Sequence, residues 1–327
     1  MTESASKIGP PLVRDARRAW GILGPAASVR LHWPEYLMEA GEVTLYLLFT
    51  CCFATILQHP ASPVSHLVAS GILRRALMGL AVGATVAAIA ISPWGKQSGG
   101  HINPAMTLAF YRLGKVARWD AWLYGAAQFL GAVSGVAMAT FVLRGAPGDS
   151  AVRYAVTAGV YGRAVAFAAE LAISFLLMIS VLGLTNHQRL ASYTPYFVGS
   201  LYAVNITFET PLSGMSMNPA RTFGSAFGAG YWHALWIYFL APTFGMMGAA
   251  EVFLRVRGGV GPYCAKLHHA NHKRCIFIHS EPQQHGTGIM RSESRGASRL
   301  RSRSESVSSA TPSSARNRAS KMFVSGK

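Results

Sequence analysis

Six apolar stretches, at residues 36–57, 76–94, 121–143, 164–184, 193–211 and 232–254, constrain what this chain can fold into more than any other feature. Most of them approach the roughly 20 residues that a helix needs to cross a bilayer. With 51% hydrophobic and only 13% charged residues over 327 positions, the chain is too apolar for an ordinary soluble enzyme of this length. The expected fold is an all-α, multi-pass membrane protein. The fifth stretch is the weakest, with Pro195, Asn205 and Glu209 in or beside it. Five spans, however, would put the two halves of the chain out of step.

The flanks suggest an orientation. The first thirty residues are polar and basic and contain no apolar signal-peptide core, so the N-terminus is expected to stay in the cytosol. Loops that are then inside carry Lys96, Arg112, Lys115, Arg118, Arg189, Arg255 and Arg257, against Arg74, Arg75, Arg144, Arg153 and Arg163 outside. This asymmetry and the even number of spans place both termini in the cytosol, in a plasma or inner membrane. Cys51 and Cys52 lie inside the first apolar run and Cys264 and Cys275 beyond the last, which suggests no disulfide framework and four reduced thiols.

Two short segments stand out between spans. SGGHINPAMT after the second stretch and SGMSMNPART after the fifth align with Ser98 on Ser213, Asn103-Pro104-Ala105 on Asn218-Pro219-Ala220 and Thr107 on Thr222. Each half is then three spans with one polar-fronted segment between its second and third, and three spans per half make the repeat inverted. Asn is a good N-cap, and Pro suits the first helical position because its missing N–H needs no partner there. Each Asn-Pro therefore starts a helix of about ten residues, too short to span, which dips in and returns. If both N-termini meet near the midplane, two positive dipole ends and two Asn amides face one point, which suits a neutral polar solute and repels cations. A lone NPA would say only that a helix is capped. Two in matching places within six spans say more.

With both NPA boxes and the Arg221 that follows the second, residues 35–257 resemble the major intrinsic protein family, the aquaporins and aquaglyceroporins. The resemblance implies six transmembrane helices plus two re-entrant NPA half-helices, passive conduction and a homotetramer with one pore per subunit. Glu39 and Glu170 look like the family's buried glutamates that brace the re-entrant loops, and a carboxylate in lipid asks for a partner in any case. An interfacial charge is the plainer alternative for Glu39. His101 matches a histidine facing the cytosolic vestibule, with a pH-sensing or a simple hydrogen-bonding role. Gly131 and Gly135 form a small-xxx-small pattern that permits close helix approach. Thr222, Ala226, Tyr238 and Phe239 resemble water-type rather than glycerol-type members.

The family's narrowest constriction is made by four residues, one being the arginine after the second NPA. Here that set is Arg221, Met215, Ile206 and either Gly83 or Val82, depending on whether SPWG holds an extra residue. Water-type relatives usually have His where Ile206 falls and Phe where Gly83 or Val82 falls. The wall should therefore be wider and greasier, with Met215 able to refill part of the gap. Water, with hydrogen peroxide, ammonia, boric acid or short alcohols, is the expected cargo. A secondary transporter is the alternative, but no acidic cluster that would bind a coupling ion accompanies the NPA boxes. No catalytic or metal-ligand set can be assembled within the spans, so an enzyme is not expected.

Four segments result: 1–34 cytosolic, 35–257 channel domain, 258–285 juxtamembrane and 286–327 a tail. Residues 258–327 hold twelve Lys and Arg against three Glu. The Ser/Arg-rich tail is expected to be disordered, with anionic lipid as its partner or with none. In the juxtamembrane segment Cys264 and His268 are four apart and Cys275 and His279 repeat the spacing. Two thiolates and two imidazoles satisfy tetrahedral zinc, although Cys-x3-His twice is not a common zinc spacing. The channel itself needs no cofactor.

Overall fold

A computed structural model describes residues 24–269 and 271–280. Among them the regular structure is helical. In chain order the main helices are α1 (Pro25–Gln58), α2 (Gly71–Ile91), α3 (Pro104–Arg112), α4 (Arg118–Val142), α5 (Arg163–Thr185), α6 (Thr194–Phe208), α7 (Pro219–Ala229) and α8 (Leu235–Val256). Residues 1–23 and 281–327, which hold most of the N-terminal segment and the whole basic tail, lie outside the described residues.

Helices α1, α2, α4, α5 and α8 are long and apolar enough to cross a membrane. The fifth crossing, α6, is present but has only 15 residues, about 22 Å at 1.5 Å per residue. Its C-terminal end is set by Glu209 and a short turn, Thr210–Ser213, with Pro at its start. At the other extreme, α1 begins well before its apolar run, so residues 25–34 are part of the helix. Polar side chains carry this extension. His32 Nδ1 lies 2.9 Å from Asp120 Oδ1 at the start of α4, and the Tyr36 hydroxyl donates to the same oxygen at 2.6 Å.

Packing follows the repeat. Helix α1 lies against α4 and α5 against α8, each pair within one half, while α2 lies against α6 across the halves. The half-helices cross over: α3 touches α8 more than its own half's α4, and α7 touches α4 more than α8. All three seams between full helices are closed by glycine, Gly245 of α8 meeting the Leu171 carbonyl of α5 in one of them. A Cβ on Gly131 would stand 2.2 Å from the Ala40 carbonyl oxygen, and one on Gly83 would stand 2.2 Å from that of Gly199. In a bilayer, where lipid is as apolar as the side chains, such close backbone approach is a main source of helix association.

This geometry makes Gly83 a structural residue. The Gly83→Leu variant should lower the melting temperature in detergent and reduce the monodisperse fraction, because the obstacle is backbone and overpacking typically costs about 1–3 kcal/mol. Val82→Leu, one position along the same helix, should leave both unchanged. Equal melting of Gly83→Leu and wild type would mean that α2 and α6 can part at no cost.

Candidate functional site

The site is built where α3 and α7 begin. Asn103 and Asn218 are in extended conformation just outside their helices, with Pro at the first helical position of each. Asn103 Oδ1 accepts from Ala105 N at 3.0 Å. Asn218 Oδ1 accepts from Ala220 N at 3.0 Å and Arg221 N at 3.2 Å. Each amide nitrogen then reaches the opposite loop: Asn103 Nδ2 donates to the Met217 carbonyl and Asn218 Nδ2 to the Ile102 carbonyl, both at 2.7 Å. The two half-helix N-termini are thus laced together. A primary amide has two N–H donors, so each Asn keeps one proton beyond this lacing.

The residues before the asparagines adopt a conformation that L side chains resist. Ile102 has φ 44° and Met217 has φ 54°, and for a β-branched residue such as Ile102 that is a strained state. Two carboxylates hold them there. Glu39 on α1 accepts from His101 N and Ile102 N, both at 2.9 Å, and from Gln128 Nε2 at 2.7 Å. Glu170 on α5 accepts from Ser216 N and Met217 N at 2.7 Å, and from Ser213 Oγ at 2.7 Å. Both are fully buried, so neither is the interfacial charge that Glu39 alone might have been.

More of the brace was missed in the sequence. Ser98 and Ser213, aligned in the repeat, are pinned from both sides: Ser98 Oγ donates to Glu42 and its carbonyl accepts from the Tyr124 hydroxyl, while Ser213 Oγ donates to Glu170 and its carbonyl accepts from Tyr238. The signal lay in the repeat itself, since each tyrosine falls on the helix after its half-helix.

A cavity of about 440 Å³ opens on one side of this junction. Val82, Ile206, Met215 and Arg221 line it together, with Tyr46, Arg74, Arg75 and Arg153 among the other lining residues. Gly83 is not on this wall; it faces Gly199 in the helix seam, so of the two alternatives Val82 borders the cavity. Arg221 is 7% exposed and its Nη1 has no protein partner.

On the opposite side, at the end where α1 starts and α8 finishes, His101 does not face open space. Its Nδ1 is 3.0 Å from Thr107 Oγ1, and its Nε2 is 2.9 Å from the Ala265 carbonyl, to which it donates. The ring is stacked between Phe110 and Phe277, at 5.1 and 5.3 Å between centroids. Residues 263–280 hold this cap in place: Leu267 N donates to the Gly99 carbonyl at 3.0 Å and Tyr263 N to Asn186 Oδ1 at 2.8 Å.

The comparisons with known proteins agree with this geometry. The major intrinsic protein family matches residues 27–253. The chain belongs to that family. Members of this membrane-channel family are not enzymes. Aquaporin NIP1-3 of Oryza sativa subsp. japonica is 36% identical over 50% of this chain and 56% of its own length, and Aquaporin TIP4-4 of Zea mays is 36% identical over 49% of this chain. The matched region spans only 56% and 63% of those two relatives. Aquaporin-8 of Mus musculus is 31% identical over 66% of this chain and 81% of the relative. The X-ray structure of the aquaglyceroporin from Plasmodium falciparum has the same fold, with a TM-score of 0.57 at 19% identity, covering 69% of this chain and 97% of that one.

Of the four expected metal ligands, Cys264, Cys275 and His279 come together and His268 does not. The thiols are 3.7 Å apart, His279 Nε2 is 3.0 Å from Cys275 Sγ, and it is 3.5 Å from Cys264 Sγ. The hydrogen bond from the Cys264 thiol pulls Cys275 down in pKa, and the same bond, with burial, pushes Cys264 up.

The bracing carboxylates give a stability prediction. In Glu170→Gln the amide NH2 must face one of two backbone N–H groups, so one buried donor loses its acceptor, at about 1–3 kcal/mol. The measurement is thermal or denaturant unfolding in detergent beside wild type. Equal stability would mean that Glu170 does not hold the loop.

Proposed function

We propose that this protein is a passive transmembrane pore that conducts water and also admits small neutral solutes, of the size and polarity of hydrogen peroxide, ammonia, boric acid or short alcohols. The observation that carries this reading is the pair of laced asparagines, each with one amide proton left to donate at the meeting point of two half-helix N-termini. Such a point replaces part of a neutral solute's hydrogen-bonded shell while its positive dipole ends disfavour cations. Arg74, Arg75, Arg153 and Arg221 around the cavity add positive charge of the same sense.

The finer selectivity rests on Val82, Ile206, Met215 and Arg221 as the constriction. Three apolar side chains and one guanidinium line the cavity together, and a constriction without the imidazole and the ring of water-type relatives is the reading under which solutes larger than water pass. The assembly is a homotetramer in a plasma or inner membrane with both termini in the cytosol, so the cavity is the extracellular vestibule.

Stopped-flow osmotic measurements on proteoliposomes test this. Water flux should exceed that of empty liposomes, and at least one larger solute should pass. The Val82→Phe, Ile206→His double variant should suppress that solute several-fold while sparing water. Exclusion of every larger solute by wild type would mean that Met215 closes the opening. Saturable counterflow would replace the pore with a transporter.

A further inference from the structure

Residues 263–269 and 271–280 do more than follow the last helix: they form a compact cap whose ends are brought together by three side chains. Cys264 and Cys275 are eleven positions apart, and between them the backbone turns back on itself, with Lys266 Nζ donating to the Arg274 carbonyl at 2.7 Å and to the Lys273 carbonyl at 3.2 Å. Arg274 in turn lies 3.6 Å from the buried Glu35 carboxylate on α1. The thiols of this turn and His279 then converge.

The spacing of the three atoms identifies what fits between them. A tetrahedral zinc ion with Zn–S of about 2.3 Å and Zn–N of about 2.0–2.1 Å has S···S edges of ~3.8 Å and S···N edges of ~3.5 Å. The edges here are 3.7 Å for Cys264 Sγ to Cys275 Sγ, 3.5 Å for Cys264 Sγ to His279 Nε2 and 3.0 Å for Cys275 Sγ to His279 Nε2. Two of the three match, and the third needs the imidazole to move by about half an ångström. A disulfide would need the sulfurs at about 2.05 Å, far closer than they lie.

The three atoms that lie within 4.8 Å of one another do not include a His269 nitrogen, but His269 neighbours the group. His269 Nδ1 is buried without a partner, and the His269 and His279 rings both lie against Tyr263, at 5.4 and 5.3 Å between centroids. His268 Nδ1 is also unpartnered, and of the two rings it is that of His269 that shares Tyr263 with His279.

The geometry points to a structural zinc site formed by Cys264, Cys275 and His279, with His269 turning in as the fourth ligand, which closes the cap that lies on the loop of the first NPA box. The site is closed, with no position left for a reacting water, and two thiolates with two neutral imidazoles leave it without net charge. Each thiol that binds the metal gives up its proton to solvent. Because the cap carries Ala265 and Phe277 against His101 and Leu267 against Gly99, the metal fixes the part of the chain that covers the first re-entrant loop.

Elemental analysis of the full-length protein, purified in detergent through a tag without histidines, provides the test. Wild type should hold about one zinc per chain. The Cys264→Ser, Cys275→Ser double variant should fall to background while remaining monodisperse. His269→Ala should give up its zinc at a lower concentration of a competing chelator than wild type or His268→Ala. If the double variant fails to fold, cobalt exchanged into wild type carries the test, since a tetrahedral dithiolate site gives intense visible bands and thiolate charge-transfer absorption. Zinc in wild type no higher than in the folded double variant would overturn the site. So would a cobalt spectrum without thiolate bands, or a Cys264–Cys275 disulfide in freshly purified protein. Retention in His269→Ala equal to wild type would overturn the fourth ligand.

Discussion

Two buried carboxylates hold this fold open for function. A loop that enters a membrane protein and turns back leaves backbone N–H groups with no helix to pair them, and lipid offers nothing in exchange. Glu39 and Glu170 solve that problem from α1 and α5, taking the N–H groups of His101, Ile102, Ser216 and Met217. The same bonds hold Ile102 and Met217 at positive φ. Without that turn the asparagines would not sit between the loops, and neither half-helix would point its N-terminus inward. The cost of burying a charge is thus offset by several hydrogen bonds at once, and the site's geometry follows from that exchange.

From this brace the rest can be ordered. Glycine seams bring α1 onto α4 and α2 onto α6, fixing where Glu39 stands. Serines and tyrosines pin the loop just ahead of each NPA. Asparagine caps each half-helix with its oxygen and reaches the other half with its nitrogen. Each asparagine therefore serves two purposes, and Gln or Asp at these positions would fail at least one. Gln is longer and caps poorly, and Asp has no proton to donate to the opposite carbonyl.

What was legible in the sequence was what repeats or what lipid forces. Apolar length revealed the crossings, and the duplicated Asn-Pro-Ala revealed the half-helices, Pro104–Arg112 and Pro219–Ala229, close to their expected lengths. Hydropathy hid the true start of α1, because His32 and Glu35 look like a polar flank until Asp120 and Gln97 arrive from elsewhere in the chain. The choice between Gly83 and Val82 was beyond it too, since adjacent helical residues point about 100° apart and one residue of uncertainty exchanges a seam for a cavity wall. The Cys-x3-His spacing suggested two local pairs. Only the second survives, because the described residues on either side of position 270 are not helical and Cys264 finds its partners across the segment instead of four residues on.

The two halves, matched in their braces, differ in what lies beyond them. In the first, His101 bonds Thr107 and then the chain's own residue Ala265; in the second, Ser216 takes the aligned place, bonds Thr222 at 2.6 Å and reaches the Asn218 carbonyl. A hydroxyl satisfied within its loop needs nothing from outside. An imidazole has a second nitrogen too far from the loop to be paired there, so it needs an acceptor, and the segment after α8 supplies it. The half that carries His101 is the half covered by the cap, while the half that carries Ser216 opens on the cavity lined by Met215 and Arg221. At this aligned pair, the asymmetry between the two mouths is matched by the number of hydrogen bonds that each side chain must make.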